Sequence, residues 1–395
     1  MLPEFDPNLR SLAKAVRPVR AVCGGESRVR TMPTPIAPDD IVLTHAEGEA
    51  NEREPLVVLE PLAEFLDANG IAPGEGLPEL EPVGDGHSNV TYVLKRGSVT
   101  AVLRRPPRGP LPPTAHDVLR EARLLTALDG TAARTPKVLA VGDDLEVIGA
   151  PFYVMECVEG DVIVSEVPAA LNTPEQHRLI SEELVDALVE VHAVDWQAAG
   201  LEGFGKPTGY LERQVSRFLG LWEINKTREI PAVEQVGTWL RDNLPDSGTA
   251  TIVHGDFRLG NTMYEKEAPA KLVSIFDWEM ATIGDPLADV GYLCTLWSDH
   301  DDPDRGMFEL TAVTRQEGFM TRAEIIARYE EKSGRSVKDM NWYTALALWK
   351  AVVFMEGNYK RAISGASDDP FLKGFGDGVV QLAERALEIA EGKLV

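Results

Sequence analysis

The spacing of apolar residues changes along the chain and divides it. Leu56, Leu59, Leu62, Phe65 and Leu66 recur at helical spacing, with Gly70 where a C-terminal cap belongs, and predict a short amphipathic lead-in helix. From Leu80 the pattern becomes that of strands, predicted over residues 80–83, 90–94 and 99–103, with Gly84-Asp85-Gly86 as the first turn. After a Pro-rich loop over 106–113, a helix is expected over 115–128, then short strands over 138–141 and 146–148. An apolar run from Pro151 to Met155 closes this part.

Beyond it the helical period dominates. Thr173-Pro174-Glu175-Gln176 offers an N-cap, a proline at the first helical position and a glutamine to close a capping box, so a helix is expected from there to about 194. Further helices are predicted over 210–223, 231–243, 321–333, 343–363 and 379–389, with short strands over 251–253, 262–264 and 272–276. The expected fold class is α+β, with a small β-rich lobe over 55–155 and a larger, mainly helical lobe over 156–395.

Residues 1–54 are expected to form a disordered N-terminal extension. Residues 1–31 carry six basic side chains but no apolar core of a secretory signal, and Pro18 and Gly24-Gly25 would break an amphipathic transit helix. Met32 is an alternative start.

Charge and cysteine content narrow the function classes. With 39 basic against 63 acidic residues the net charge is −24, which repels a polyanion and excludes nucleic acid as the expected partner. A cationic substrate fits that field, but so does plain solubility. Cys23, Cys157 and Cys294 are odd in number and far apart, which argues against a disulfide framework or a Cys-x-x-Cys metal pair and for a reducing cytoplasm. The most apolar helical stretch, 344–355, is short and interrupted by Lys350, so no membrane span is expected.

The candidate chemistry centres on His254-Gly255-Asp256-Phe257-Arg258-Leu259-Gly260-Asn261 and Asp277-Trp278-Glu279. An Asp able to take a proton from a hydroxyl, an Asn five positions on and a second Asp sixteen beyond that reproduce the spacing with which kinase-like enzymes hold an attacking oxygen and Mg²⁺. Taken alone, His-Gly-Asp also fits an ordinary polar turn. The expected hairpin of 262–264 and 272–276 gives the spacing a cause, because it brings Asn261 and Asp277 to one end of a rigid element.

In the small lobe, Gly84-x-Gly86-x-x-Asn89 places two glycines where backbone amides could approach phosphate oxygens, with Ser88 as a hydroxyl donor; a plain hairpin turn fits the same residues. Glu121 falls within the apolar stripe of its helix, so it needs a partner, and Arg104 at the end of the third strand is the candidate. Glu156 and Val158, following the last strand, are placed to offer backbone groups to adenine. Asp285 is expected to cap the helix that begins near Pro286, and with Asp289 to brace the 254–261 segment.

Seven stretches in order, GDGHSNVTYVL (84–94), AVLRRPP (101–107), REARLLTAL (120–128), PFYVMECVEG (151–160), HGDFRLGN (254–261), DWE (277–279) and GDPLADVGYL (284–293), resemble the aminoglycoside/choline phosphotransferase family. That resemblance implies a protein-kinase-like bilobal fold with ATP and Mg²⁺ between the lobes and a small-molecule hydroxyl as acceptor. Carried onto this chain, it makes Asp256 the proton acceptor and Arg258 the stabiliser of the transferring group. Asn261 and Asp277 become the metal ligands, and Gly84, Gly86, Ser88, Arg104, Glu121, Glu156 and Val158 the nucleotide site.

GYLERQV (209–215) and ALALWK (345–350) are similar to the branch associated with acyl-CoA dehydrogenases, which implies a hydroxyacyl-CoA acceptor. Lys226, Arg213 and Arg217 would then supply a basic mouth. An aminoglycoside or choline-like acceptor, and a nucleotide-binding pseudokinase without transfer, are the alternatives. The chain departs from the family pattern at Arg104, where Lys is usual, and at Asn89, where a third glycine is usual.

Overall fold

The structure, a computed structural model, describes residues 40–83, 89–109, 116–303, 311–366 and 370–392. Its first elements are a parallel pair, β1 (Ile41–Val42) and β2 (Val57–Val58), separated by α1 (His45–Glu49) and followed by α2 (Leu59–Ala68). Residues 40–54 were expected to be disordered, yet they carry β1 and α1. Thr44 Oγ1 caps α1 by accepting from the Glu47 amide at 3.3 Å, and Arg108 holds Asp40 at 2.6 Å. The second contact spans 68 residues, which no local pattern announces.

One antiparallel sheet forms the small lobe: β3 (Glu79–Val83), β4 (Val90–Arg96), β5 (Val99–Arg105), β6 (Val138–Gly142) and β7 (Phe152–Glu156), in the order β3-β4-β5-β7-β6. Tyr92, Leu94, Leu103, Phe152 and Val154 pack on Leu62 and Leu66 of α2. α3 (Val118–Leu128) follows β5, and its Ala122, Leu125 and Leu128 join the core of the second lobe. Helix α3 therefore couples the two lobes.

Residues 146–148, expected as a strand, lie instead in a one-turn helix, α4 (Leu145–Ile148). Asp144 caps its start by accepting from the Glu146 amide at 2.9 Å, and Gly149 ends it with φ 78°. Such a short apolar run has no period, so its caps decide its form.

The large lobe begins with β8 (Asp161–Val162), α5 (Pro174–His192), α6 (Tyr210–Asn225) and α7 (Pro231–Asp242). β9 (Thr251–Val253), β10 (Thr262–Tyr264), β11 (Leu272–Ile275) and β12 (Thr282–Gly284) follow, then α8 (Leu287–Leu296), α9 (Arg322–Ser333), α10 (Met340–Ile363), α11 (Pro370–Lys373) and α12 (Phe375–Ala390). β10 pairs antiparallel with both β11 and β8, and β9 pairs with β12. Two of the tryptophans buried among the helices donate their indole N–H to carbonyls, Trp349 to Val233 at 2.9 Å and Trp297 to Met320 at 2.7 Å.

At the start of α5, Thr173 Oγ1 accepts from the Gln176 amide at 3.4 Å, but the Gln176 side chain does not return to Thr173. Its Oε1 takes the Ala270 amide at 2.7 Å and pins the loop between β10 and β11. A reciprocal capping box forms instead at Thr321 and Glu324. Among the described residues no helix is long and apolar enough to cross a membrane.

Candidate active site

β9 delivers the chain into His254-Gly255-Asp256. Gly255 has φ +85°, and a Cβ there would stand 2.8 Å from the Met280 carbonyl oxygen, so only glycine fits this turn. The turn is fastened from behind by Asp289 of α8, which accepts from the amides of His254 at 2.6 Å and Gly255 at 2.8 Å. His192 Nε2 lies 3.2 Å from the same carboxylate, and its Nδ1 is 2.8 Å from the Tyr329 hydroxyl. Burial pushes the Asp289 carboxyl up, but the His192 hydrogen bond, the nearby imidazoles and the Gly255 amide outweigh it and hold the group below the usual carboxylate range.

Replacing Asp289 by Ala orphans the buried amide of His254 and the half-buried one of Gly255. We expect Asp289→Ala to lower unfolding stability by on the order of 3 kcal/mol, read from the urea midpoint.

His254 is buried beside Trp278, the ring centroids 4.5 Å apart. Its Nδ1 accepts from the Asp256 amide at 3.2 Å, and its Nε2 donates to the Phe276 carbonyl at 3.1 Å, which assigns the Nε2–H tautomer. One imidazole thus joins the 254–256 turn to the segment carrying Asp277.

The Asp256 carboxylate lies among three donors. Asn261 Nδ2 donates to its Oδ2 at 2.6 Å and also reaches the Asp256 carbonyl at 2.8 Å. Tyr292 of α8 donates its hydroxyl to Oδ1 at 2.5 Å, and Arg258 Nε stands 3.6 Å from the same oxygen. Burial and the Asp256 charge push the Tyr292 phenol well above its usual range, so it stays a donor. Nothing in the sequence singles out Tyr292, 36 residues away; only the position of α8 beside the turn reveals it.

Asp277, just beyond the end of β11, has φ 66°, in the left-handed region that Asp tolerates better than most residues. The preceding amide, that of Phe276, donates to the Asn261 carbonyl at 3.1 Å, so the hairpin holds residues 261 and 277 together. Asp277 Oδ1 accepts from Arg104 Nη2 at 2.8 Å, and Arg104 Nε lies 3.0 Å from Glu121 Oε2. Glu121 Oε1 in turn accepts from the Trp278 amide at 3.2 Å. Burial pulls the Arg104 pKa down, but Glu121, Tyr153 and Asp277 more than offset it, so the guanidinium stays charged. β5, α3 and the end of β11 therefore meet through one buried cation and two carboxylates.

The other expected site residues are placed less closely. Glu156 ends β7 with its amide already donating to the Lys137 carbonyl at 2.8 Å, while Val158 follows, half-buried. Gly84, Gly86 and Ser88 lie outside the described residues. Of the three cations expected to form a basic mouth, Lys226 is paired with Glu223 at 3.0 Å and Glu229 at 3.6 Å. Arg213 is turned onto the carbonyls of Thr208 and Lys206. Arg217 is exposed, and no ion pair among the described residues engages it.

The model of the phosphotransferase enzyme family matches residues 79–319, more than half of the chain, which include Arg104, Glu121, Asp256, Asn261, Asp277, Asp289 and Tyr292. The chain belongs to that family. Among this phosphotransferase's relatives is acyl-CoA dehydrogenase family member 10 of Mus musculus, 33% identical over 317 residues, which are 80% of this chain and 29% of the relative. The chain thus spans under a third of that relative's length. A Ralstonia eutropha protein, provisionally named an aminoglycoside phosphotransferase, superposes with a TM-score of 0.74 at 29% identity, over 84% of this chain and 98% of that one.

A thermostable mutant of aminoglycoside phosphotransferase APH(4)-Ia, solved with AMP-PNP and hygromycin B, gives a TM-score of 0.52 at 15% identity over 82% and 98% of the two chains, a likeness of fold alone. The fold of this phosphotransferase is therefore the protein-kinase-like one, a small sheet lobe on a helical lobe. The family to which the chain belongs is one of phosphotransferase enzymes.

Proposed function

We propose that this phosphotransferase moves the γ-phosphate of ATP, with Mg²⁺, to a hydroxyl of a small acceptor. The observation that carries the reading is the meeting of Asp256, Asn261 and Asp277, one acid free of any lysine or arginine closer than 3.6 Å and the other on the Arg104–Glu121 pair. Phosphoryl transfer asks mainly for positioning and for stabilisation of charge, and these groups supply both.

The donor set fits Mg²⁺. The Asn261 amide nitrogen is committed to Asp256, which leaves its Oδ1 as an acceptor, and Asp277 keeps an oxygen beyond the one that takes Arg104. Mg²⁺ ordinarily takes one or two such oxygens together with phosphate oxygens and water, and when bound it would neutralise charge on the phosphates.

In this reading Asp256 orients the acceptor hydroxyl and accepts its proton, its carboxylate held by Asn261 and Tyr292. Arg258 stabilises the equatorial oxygens of the transferring group. Arg104, steadied by Glu121, reaches the inner phosphates, and the sequence pattern assigns Gly84, Gly86 and Ser88 to the same phosphates. Val158 offers its amide to adenine, since the amide of Glu156 is already bonded.

For the acceptor we favour a hydroxyacyl-CoA. The support is the mouse relative, named an acyl-CoA dehydrogenase family member, in which the matching region makes up 29% of the length. An ADP-release screen over hydroxyacyl-CoAs, amino alcohols and aminoglycosides, with Asp256→Ala as the blank, tests both levels. Acceptor-dependent ADP release that vanishes in the variant is expected. Release from no acceptor, with Mg·ATP bound, would make the chain a pseudokinase.

A further inference from the structure

Asn89 stands where a third loop glycine is usual, and its side chain has no part in the mechanism above. It immediately precedes β4 and is only 7% exposed. Its Oδ1 accepts from His116 Nδ1 at 3.2 Å, while its Nδ2 is buried and, among the described residues, without a hydrogen-bond partner. A buried amide N–H left in that state is costly, so an unpaired one beside a ligand cleft calls for an explanation.

Two observations fix the side of the sheet on which this amide lies. Tyr92 and Leu94 of β4 pack into the core beside α2, so Thr91 and Val93 face the other way. Thr91 stands directly across from Arg104, whose guanidinium spans Glu121 and Asp277. The bond to His116 places Asn89 on that same side, because His116 lies two residues before α3, the helix that carries Glu121. Asn89 is two residues, or about 7 Å of strand, further out than Thr91. Its free donor therefore shares a face with the cation assigned to the inner phosphates.

His116 is itself firmly placed. Its φ of 58° lies in the left-handed region, which a residue other than glycine keeps only when its surroundings hold it there. Its carbonyl accepts from the Val118 amide at 3.0 Å, and the adjoining Asp117 caps α3 by accepting from the Arg120 amide at 3.0 Å. The imidazole is thus tied to the first turn of α3, and it takes the oxygen of the Asn89 amide, leaving the nitrogen free.

Building on the nucleotide reading above, we propose that the side-chain amide of Asn89 is a phosphate-binding donor, positioned by His116. A glycine at this place offers a phosphate only its backbone N–H, whereas asparagine adds a neutral donor from the side chain. Asn89 Nδ2 donates to a phosphate oxygen of the nucleotide, on the outer side of Arg104. His116 is a positioning residue that decides which end of the amide is presented.

The test is calorimetric binding of Mg·ATP and of adenosine to the full chain and to Asn89→Asp, Asn89→Gly and His116→Ala. Asn89→Asp keeps the size of the side chain and an oxygen for His116, but replaces the free donor by an anionic oxygen. It should weaken Mg·ATP binding about 10- to 100-fold, the loss of a hydrogen bond to a charged group with repulsion added, and leave adenosine binding unchanged. Asn89→Gly removes the donor without adding charge and should weaken Mg·ATP about tenfold, again sparing adenosine. His116→Ala leaves the donor but lets it turn, and should fall between the wild type and Asn89→Gly.

Wild-type Mg·ATP affinity in Asn89→Asp overturns the proposal. So does an equal loss of ATP and adenosine, the pattern of a purely structural residue. Should Asn89→Asp fail to fold, Asn89→Gly decides by the same ratio of affinities. Because binding is read instead of turnover, a chain that binds ATP and transfers no phosphate removes the kinase reading and leaves this test intact. A wild type that binds neither ligand removes the nucleotide reading, and this proposal with it.

Discussion

Asp256→Ala is expected to lower kcat by about 10²–10⁴-fold, the range for a general base, which corresponds to roughly 3–5 kcal/mol of transition-state stabilisation. The Asp256 carboxylate is the one that Asn261, Tyr292 and Arg258 all face, so nothing nearby can replace it as proton acceptor. Of the groups assigned to the nucleotide and its metal, Arg104 on β5, Glu121 on α3 and Asp277 just beyond β11 are on other elements, and Asn261 keeps its bond to the Asp256 backbone carbonyl at 2.8 Å when the carboxylate is removed. Mg·ATP should therefore bind the variant with wild-type affinity, as read by calorimetry beside steady-state turnover. A variant that loses nucleotide binding and turnover together would assign Asp256 a structural role.

Asp277→Ala should give the opposite pattern. Its carboxylate is one of two oxygen donors assigned to Mg²⁺, so Mg·ATP affinity should fall at least tenfold to a hundredfold, taking turnover with it. Arg104 keeps Glu121 as its partner, and the fold should survive. The discriminating measurement is ATP binding with and without metal. In EDTA the variant should bind ATP no worse than the wild type, because removing a carboxylate beside the phosphates also removes repulsion. An equal loss with and without Mg²⁺ would mean that Asp277 acts through Arg104 alone.

Much of the framework is legible in the sequence because it rests on local period and spacing. The strands of the small sheet, α5, α6 and α10 follow from apolar repeats, and the β10–β11 hairpin from two short, largely apolar runs around a polar loop. What is not legible depends on partners distant in the chain. β12 has three residues, too few to show a period, and exists because β9 pairs with it. The lead of α12 to Phe375 is hidden by Gly376 and Gly378, poor helix formers that packing retains.

The same distinction runs through the site. Asp256, Asn261 and Asp277 stand out by spacing, and Glu121 by being a carboxylate on an apolar stripe, whereas Tyr292 and the His192–Asp289 contact need the placement of α8 to be seen.

The central claim is that phosphate leaves ATP for an alcohol under the control of Asp256. It is tested most directly by incubating the full chain with [γ-³²P]ATP, Mg²⁺ and the acceptor panel, and following where the label goes. The account predicts label in a phosphate ester of the acceptor, formed by the wild type, abolished by EDTA and reduced at least a hundredfold in Asp256→Ala. Label confined to ATP and inorganic phosphate with every acceptor, or ester formation unchanged in Asp256→Ala, would contradict it.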